Sequence, residues 1–456
     1  MKTILSLLFI LASYTGMAQE ISFKQLRYDE TYAYLAQDSS INWYHNLKFK
    51  PVSANKATYF SFGGEVRYQY FYFKNQDWGE APEDQDGFIL SRYLGHVDFH
   101  AGKYFRTFIQ LQSSLANGQT EEPSPVDQNP LDLHQAFLEY RGRVNGKGII
   151  TFRVGRQELS YGSQRLVAVR EAPNNRQSFD AAKLMYSGKN VKLDVFYSNY
   201  VPARSNIFDD SFSNITRFWG AYGVFNKIPF IKNIDLYYLG IHKKNAVFDD
   251  GKGAETRYSV GARIWSNTPN WQYDVEGLYQ FGNLEASHIS AWTMSANISY
   301  SWEKAGLKPQ IGLKAELISG DKNSADGRLN TFNPLFPKGA YFGLAALIGP
   351  YNLMDAHPYF QFNLTKTLLF AADYDLFWRM DSNDGLYAVN GKLIYPAKTG
   401  NSKEIGKQLG GALEYMPNRY LSLKQEFTWF SAGDYLKTAG PGKDILMFGS
   451  TITLKF

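Results

Sequence analysis

From Tyr59 to Phe73 the chain alternates between two kinds of side chain. Phe60, Phe62, Val66, Tyr68, Tyr70 and Tyr72 fall on one face of an extended segment, and Ser61, Glu65, Arg67 and Gln69 on the other. The same period of two returns over 91–101, where Tyr93, Val97 and Phe99 oppose Arg92, His96, Asp98 and His100. Downstream, Trp271, Tyr273, Val275, Tyr279 and Phe281 oppose Gln272, Asp274, Glu276 and Gln280, while Phe370, Tyr374, Leu376 and Trp378 oppose Asp373, Asp375 and Arg379. Segmenting the chain by this pattern predicts about 18 strands, near 59–73, 88–101, 103–115, 133–145, 148–158, 180–187, 191–200, 215–226, 234–243, 255–266, 270–283, 288–302, 308–319, 352–364, 367–380, 406–416, 420–431 and 445–456.

The connections decide what these strands build. The even-numbered ones are short turns, at 145–148, 187–190, 267–270, 303–306, 365–366 and 416–419, whereas most odd-numbered ones are long and polar, at 74–87, 116–132, 159–179, 201–214, 320–351 and 381–405. Interleaved short and long connections are expected of a barrel with its turns in the periplasm and its loops outside; a β-sandwich has no reason to alternate. The last strand sets Leu446, Phe448, Ile452, Leu454 and Phe456 on one face, and its terminal aromatic resembles the recognition end of outer-membrane barrels. Trp219, Trp265, Trp271, Trp302, Trp378 and Trp429 sit near strand ends, as interfacial girdles require. The expected architecture is all-β, a transmembrane antiparallel up-and-down β-barrel over 59–456, preceded by a partly helical periplasmic lead-in over 19–58.

Composition agrees with this and adds a compartment. The 456 residues include 33 Phe, 32 Tyr, 9 Trp and 39 Gly but no Cys, which excludes disulfides, thiolate metal sites and a cysteine nucleophile. Lys2, the apolar run from Ile4 to Ala12 and the small residues Gly16 and Ala18 read as a secretory signal over 1–18, cleaved before Gln19. No later run approaches the roughly 20 apolar residues of a membrane helix. A net charge of +5 without any basic block gives no footing for nucleic acid. The bacterial outer membrane and its lipid follow as the expected setting.

In a barrel this wide the inward residues carry the chemistry. Sorting by pleat, the first ten strands place Arg67, Arg92, Arg106, Arg141, Arg153, Lys183, Arg257 and Arg263 inside against Glu65, Asp98 and Glu139. The last eight place Lys314, Arg379, Lys424 and Lys455 against Asp274, Glu276, Glu316, Asp373, Asp375, Glu414 and Glu426. A basic wall faces an acidic one. Guanidinium groups offer planar donor forks suited to carboxylate or phosphate; alternatively, neighbouring carboxylates neutralise them and the pairs brace the strands.

The stretch 152–184 is the most distinctive, with Arg153, Arg156, Arg165, Arg170 and Arg176 among Glu158, Glu171 and Asp180. Its Gly155-Arg156-Gln157-Glu158, Tyr161-Gly162-Ser163-Gln164-Arg165, Arg176 and Ser178-Phe179-Asp180, with Ser319-Gly320-Asp321 and Thr331-Phe332-Asn333-Pro334-Leu335-Phe336-Pro337, resemble the alginate export family. The resemblance implies an 18-stranded outer-membrane barrel that releases an anionic polysaccharide through an electropositive constriction. That constriction maps onto Arg153, Arg156, Arg165 and Arg176, with Arg67 and Arg92 as further candidates; Arg106, Arg141, Glu158 and Asp180 complete the candidate set.

No GxSxG, HExxH or Walker A sequence is present, so neither catalytic residues nor cofactors are expected. His96 and His100 share a face but stand roughly 13 Å apart along a strand, too far for one tetrahedral metal. The acidic clusters at 321–327 and 381–385 lack the spacing of a calcium loop and read as solvated loops. A passive outer-membrane channel for an anionic glycan or small anionic solute is the first expectation, with periplasmic export or uptake proteins as further candidate partners. A general nutrient porin and, from another class, a barrel enzyme or adhesin are the alternatives.

Overall fold

The computed structural model describes residues 23–38, 42–144 and 147–456; the expected signal segment lies outside the described residues. Eighteen long strands form the barrel. They are β1 (Thr58–Lys74), β2 (Phe88–Ala101), β3 (Phe105–Asn117), β4 (Asn129–Val144), β5 (Gly148–Gln157), β6 (Ser178–Ser187), β7 (Val191–Val201), β8 (Thr216–Ile228) and β9 (Lys232–Phe248). There follow β10 (Gly251–Asn267), β11 (Trp271–Leu284), β12 (Ser287–Ser301), β13 (Gln310–Ile318), β14 (Leu353–Asn363), β15 (Leu368–Arg379), β16 (Glu404–Asn418), β17 (Leu421–Ala432) and β18 (Ile445–Lys455). Each pairs antiparallel with its sequence neighbours, and β1 closes on β18 in register from Glu65↔Lys455 to Lys74↔Leu446. Closure leaves no unpaired edge, which a span through hydrocarbon demands.

The period of two sets which side meets lipid. Along β1, Glu65, Arg67, Gln69, Phe71 and Phe73 are buried while Tyr68 is exposed, and β4 and β5 expose Leu138, Tyr140, Phe152 and Val154. These exposed aromatics and aliphatics form the outer belt. The strict interleaving of loops holds except at two outer connections. β9 and β10, each 17 residues long, meet at a two-residue turn after a bulge between Lys243 and Ala246, and β11 meets β12 as tightly. The sequence pattern leaves 244–254 as a connection, but the pairing Ala246↔Gly253 to Phe248↔Gly251 carries both strands through most of it.

The lumen is largely filled. Two long outer connections, loop A (158–177) and loop B (319–352), fold into it and pair with each other: the Phe336 amide donates to the Leu166 carbonyl at 2.9 Å, Ala168 to Phe336 at 2.9 Å, and Lys338 to Gln164 at 3.1 Å. Phe336 stands 4.9 Å from Phe179, 5.1 Å from Phe218 and 5.6 Å from Tyr200. Leu166, Val167, Phe332 and Leu335 join the inward Phe196, Leu239 and Ile241 in one apolar core. Sequence places aromatic residues on both faces of β6 to β9 near their outer ends, and this core is why.

From the other end, the segment 23–37 enters the barrel as two 3-10 turns, Arg27–Asp29 and Ala33–Gln37, followed by the short helix α1 (Trp43–Lys48). Tyr28 packs edge-on against Phe108 and Phe137 at 6.0 and 5.4 Å, under the Arg153 guanidinium at 4.2 Å, and donates to the Glu158 carbonyl at 2.8 Å. Arg27 donates to the carbonyls of Gly64 and Phe456, at 3.0 and 2.8 Å, across the seam where the barrel closes.

Barrel closure runs through the β1–β18 ladder and the loop core through Phe336, so these two are separable. Phe336→Ala is expected to remove about 3–5 kcal/mol of packing from the inner core while the folded barrel still migrates as a compact species on an unheated gel. Hydrogen exchange should rise across 161–177 and 331–347 and stay unchanged in the wall. Unchanged protection of both loops would contradict this division.

Candidate functional site

Loop A crosses the lumen held by two guanidinium groups. At one end, Arg176 pairs with Glu158 at 2.6 Å and with Glu171, which pairs with Arg92 at 2.8 Å; Arg92 in turn meets Glu65 at 2.6 Å. His134 and Lys455 extend the series, to Glu158 at 2.8 Å and to Glu65 at 3.6 Å. A relay of alternating charge thus runs from Glu158 and Arg176 of loop A to β2, β1 and β18, with the His134 ring of β4 hydrogen-bonded at its loop end. At the other end, Arg165 reaches Glu276 on β11 at 3.1 Å, Glu316 on β13 at 3.0 Å and the Tyr341 hydroxyl of loop B at 2.8 Å. Burial alone would raise the Glu171 carboxyl, but Arg176 and Arg92 hold it well below the usual carboxylate range. In Arg165, burial works against the charge and Tyr341, Glu316 and Glu276 more than offset it.

The sequence-derived set therefore divides. Arg92, Arg165, Arg176 and Glu158 are buried inside these networks. Arg106 pairs with Asp98 at 2.7 Å and Arg153 with Glu139 at 2.7 Å, on the wall covered by the segment 23–37; Arg141, more open, also holds Glu139, at 2.5 Å. Arg156 and Asp180 meet at 2.9 Å but stand in the phase of Val154 and Ala182, on the outer side of the barrel wall below the 202–215 loop. Arg67 differs from all of these. It is buried, donates to the carbonyls of Glu171 and Pro173 at 2.7 and 2.8 Å, and forms no ion pair among the described residues.

Arg67 borders the open space that remains. A cavity of 580 Å³ lies between loop B and the wall made by β1, β16, β17 and β18, and its lining carries five cationic side chains, Arg67, Lys338, Arg419, Lys424 and Lys455, against three carboxylates, Glu171, Glu414 and Glu426. Lys424 pairs with Glu426 at 2.8 Å, while Glu171 is already engaged by Arg92 and Arg176. Lys338 forms neither ion pair nor hydrogen bond through its ammonium among the described residues; the Tyr341 ring lies 5.5 Å away. A cavity of 200 Å³ continues outward, and one of 590 Å³ opens beyond it between the 75–87 and 380–403 loops.

The family model of alginate export matches residues 58–445. The chain belongs to that family, and it is an outer-membrane channel barrel. No curated protein sequence matches it. Among solved structures it is similar to Acinetobacter baumannii OccAB1, with 12% identity, a TM-score of 0.57, and coverage of 90% of this chain and 99% of that one. It is also similar to Pseudomonas aeruginosa OpdK with vanillate (10%, TM-score 0.56, covering 87% and 98%) and to OccK2 (OpdF) in complex with glucuronate (12%, TM-score 0.53, covering 87% and 96%). At these identities the likeness shows the fold.

The residues by which this family is recognised mostly belong to the two inner loops or their anchorage. Gly155 has φ 125°, and a Cβ there would lie 2.3 Å from the Ala136 carbonyl; Gly162, at φ 58°, lets loop A pass under the Tyr222 hydroxyl. Asn333 donates to Glu255 at 3.2 Å and accepts the Leu335 amide at 2.9 Å, shaping the turn that presents Phe336. The 321–327 and 381–385 clusters, expected as solvated, turn inward at Asp321 and Asp384. Asp384 accepts the Asp321 amide at 2.8 Å and the Thr331 hydroxyl at 2.6 Å, because the outer loops pack together to cover the core. Asp132, Asp209 and Asp210 bring carboxylate oxygens within 4.8 Å of one another, and all but one oxygen accepts a protein N–H, so the cluster works as a cap on the 202–215 loop.

Sequence reasoning missed Lys338 and Arg419, because a loop and a periplasmic turn were not assigned to the lumen; the position of Lys338 directly after the Phe332–Pro337 motif was the available signal. Two outcomes follow. Arg165→Ala leaves Glu276 buried without its cation and Glu316 with Lys314 alone, which is expected to cost about 3–5 kcal/mol and to open loop A to limited proteolysis. Burial, with Lys314 and Arg165 nearby and Glu316 and Asp274 opposing them, brings the Lys338 ammonium down to about 8. Raising pH through that value removes its charge, so reversal potentials should shift away from anions, and Lys338→Met should abolish that part of the shift.

Proposed function

We propose that this channel passes an anionic solute or glycan by diffusion, and that the excess of cationic side chains around the 580 Å³ cavity carries its selectivity. The family's role, alginate export, supports a carboxylate-bearing cargo, as do the vanillate and glucuronate bound by two barrels of the same fold. Within the arginine-rich constriction, Arg67 is the solute-facing member. Arg92, Arg165 and Arg176 shape it by fixing loop A, and Arg106, Arg141 and Arg153 hold the wall behind the segment 23–37. A guanidinium whose charge is not cancelled by a neighbouring carboxylate attracts anions far more than one in a closed pair. Glu414 and Glu426 keep the site from becoming a trap, since conduction needs release as well as binding.

The test is ion selectivity in planar bilayers. The native protein is expected to prefer anions, Arg67→Gln and Lys338→Gln each to reduce that preference, and Arg156→Gln, on the outer side of the wall, to leave it intact. A native channel without charge preference would make it a general porin, and a barrel impermeable to ions would remove the transport reading altogether.

A further inference from the structure

The three cavities follow one another between the same two walls, and both walls change character in the same direction. On β1, alternate residues point inward: Arg67 and Gln69 border the inner cavity, Phe71 and Phe73 the narrow one, and Phe73 also the outer one. Loop B runs opposite. Lys338 borders the inner cavity, Leu344 both the inner and the narrow one, and Leu347 the outer one. The narrow section of 200 Å³ is lined by no cationic side chain, and its single charged residue is Asp127.

A polyanion would have to strip water from successive carboxylates in this apolar section, beside a carboxylate and with no cation to compensate, and desolvating an uncompensated charge is costly. An apolar ring or chain, by contrast, gains by leaving water there. We propose that the solute this route selects is a compact amphipathic carboxylate, an aromatic or aliphatic body with one anionic head. The body passes between Phe71, Phe73 and Leu344, and the head is received by Arg67 and Lys338. The inference rests on the anion-channel reading and narrows it. Arg67 and Phe71 are four residues apart, roughly 13 Å along the strand, so a compact solute passes from the apolar section to the cationic one in succession, and Leu344 borders both.

The probes are acetate, benzoate, glucuronate and a trimer of uronic acid, each titrated as a blocker of chloride current through the native channel in planar bilayers. Benzoate is expected to bind about tenfold more tightly than acetate or glucuronate, a difference set by the ring alone, with the trimer weakest. Leu344→Gln should erase the advantage of benzoate over acetate while keeping anion selectivity, and Lys338→Gln should weaken both. Phe73→Ser is the second apolar variant if loop B does not tolerate the first, with compact migration on an unheated gel as the check on folding. An anion-selective channel that binds glucuronate or the trimer as well as benzoate overturns this inference and leaves the anion reading standing. A channel with no anion preference overturns that reading instead.

Discussion

The interior of this barrel depends on keeping one loop stretched across it. A closed wall of eighteen strands satisfies its own backbone, but it encloses a space that side chains from the wall do not fill, and an unsupported loop there would be free to swing. Arg92 of the wall, which holds Glu171, and Arg165 of loop A, which holds Glu276 and Glu316, remove that freedom by bonding loop A to opposite sides of the lumen, while Arg176 braces Glu158 against Glu171 within the loop. Arg92 and Arg165 each meet two carboxylates, so that neither guanidinium is buried alone. Loop B then finds a fixed edge to pair with, and the apolar core assembles around Phe336.

This arrangement changes what a charged residue in the lumen means. Inward orientation is a property of the strand, whereas access to solute is a property of whatever else occupies the lumen. Arg106 and Arg153 point inward and yet face their own carboxylates and the rings of Phe108 and Tyr28 respectively. Arg67 points inward into a space bordered by carbonyls and water-accessible cavity. The mixed charge of the walls is thus an accounting of pairs already made, and only the remainder is available to a passing ion.

The wall was legible because lipid imposes a period of two on every strand, and that signal survives in single segments such as Tyr59–Phe73. Segmenting by that period gave the number of strands, and the interleaving of short and long connections holds except after β9 and β11, where strands meet in two-residue turns. The filling of the lumen was not legible in the same way. Loop residues have no period to betray their direction, and the pairing of Arg165 with Glu276 and Glu316 joins positions more than a hundred residues apart. The clue that did exist was a local excess: Phe179, Phe196, Phe218 and Ile241 are apolar at inward positions, where an open aqueous channel would have no use for them.

The seam between β1 and β18 joins the first and last strands of the wall, and Arg27 bonds to the carbonyls on both sides of it, at Gly64 and Phe456. The two bonds cannot exist together in an open sheet, because before closure those two oxygens belong to opposite edges. Seating of the amino-terminal segment is therefore coupled to the final step of assembly, and the same contact that narrows the channel also acts as a clasp on the completed ring.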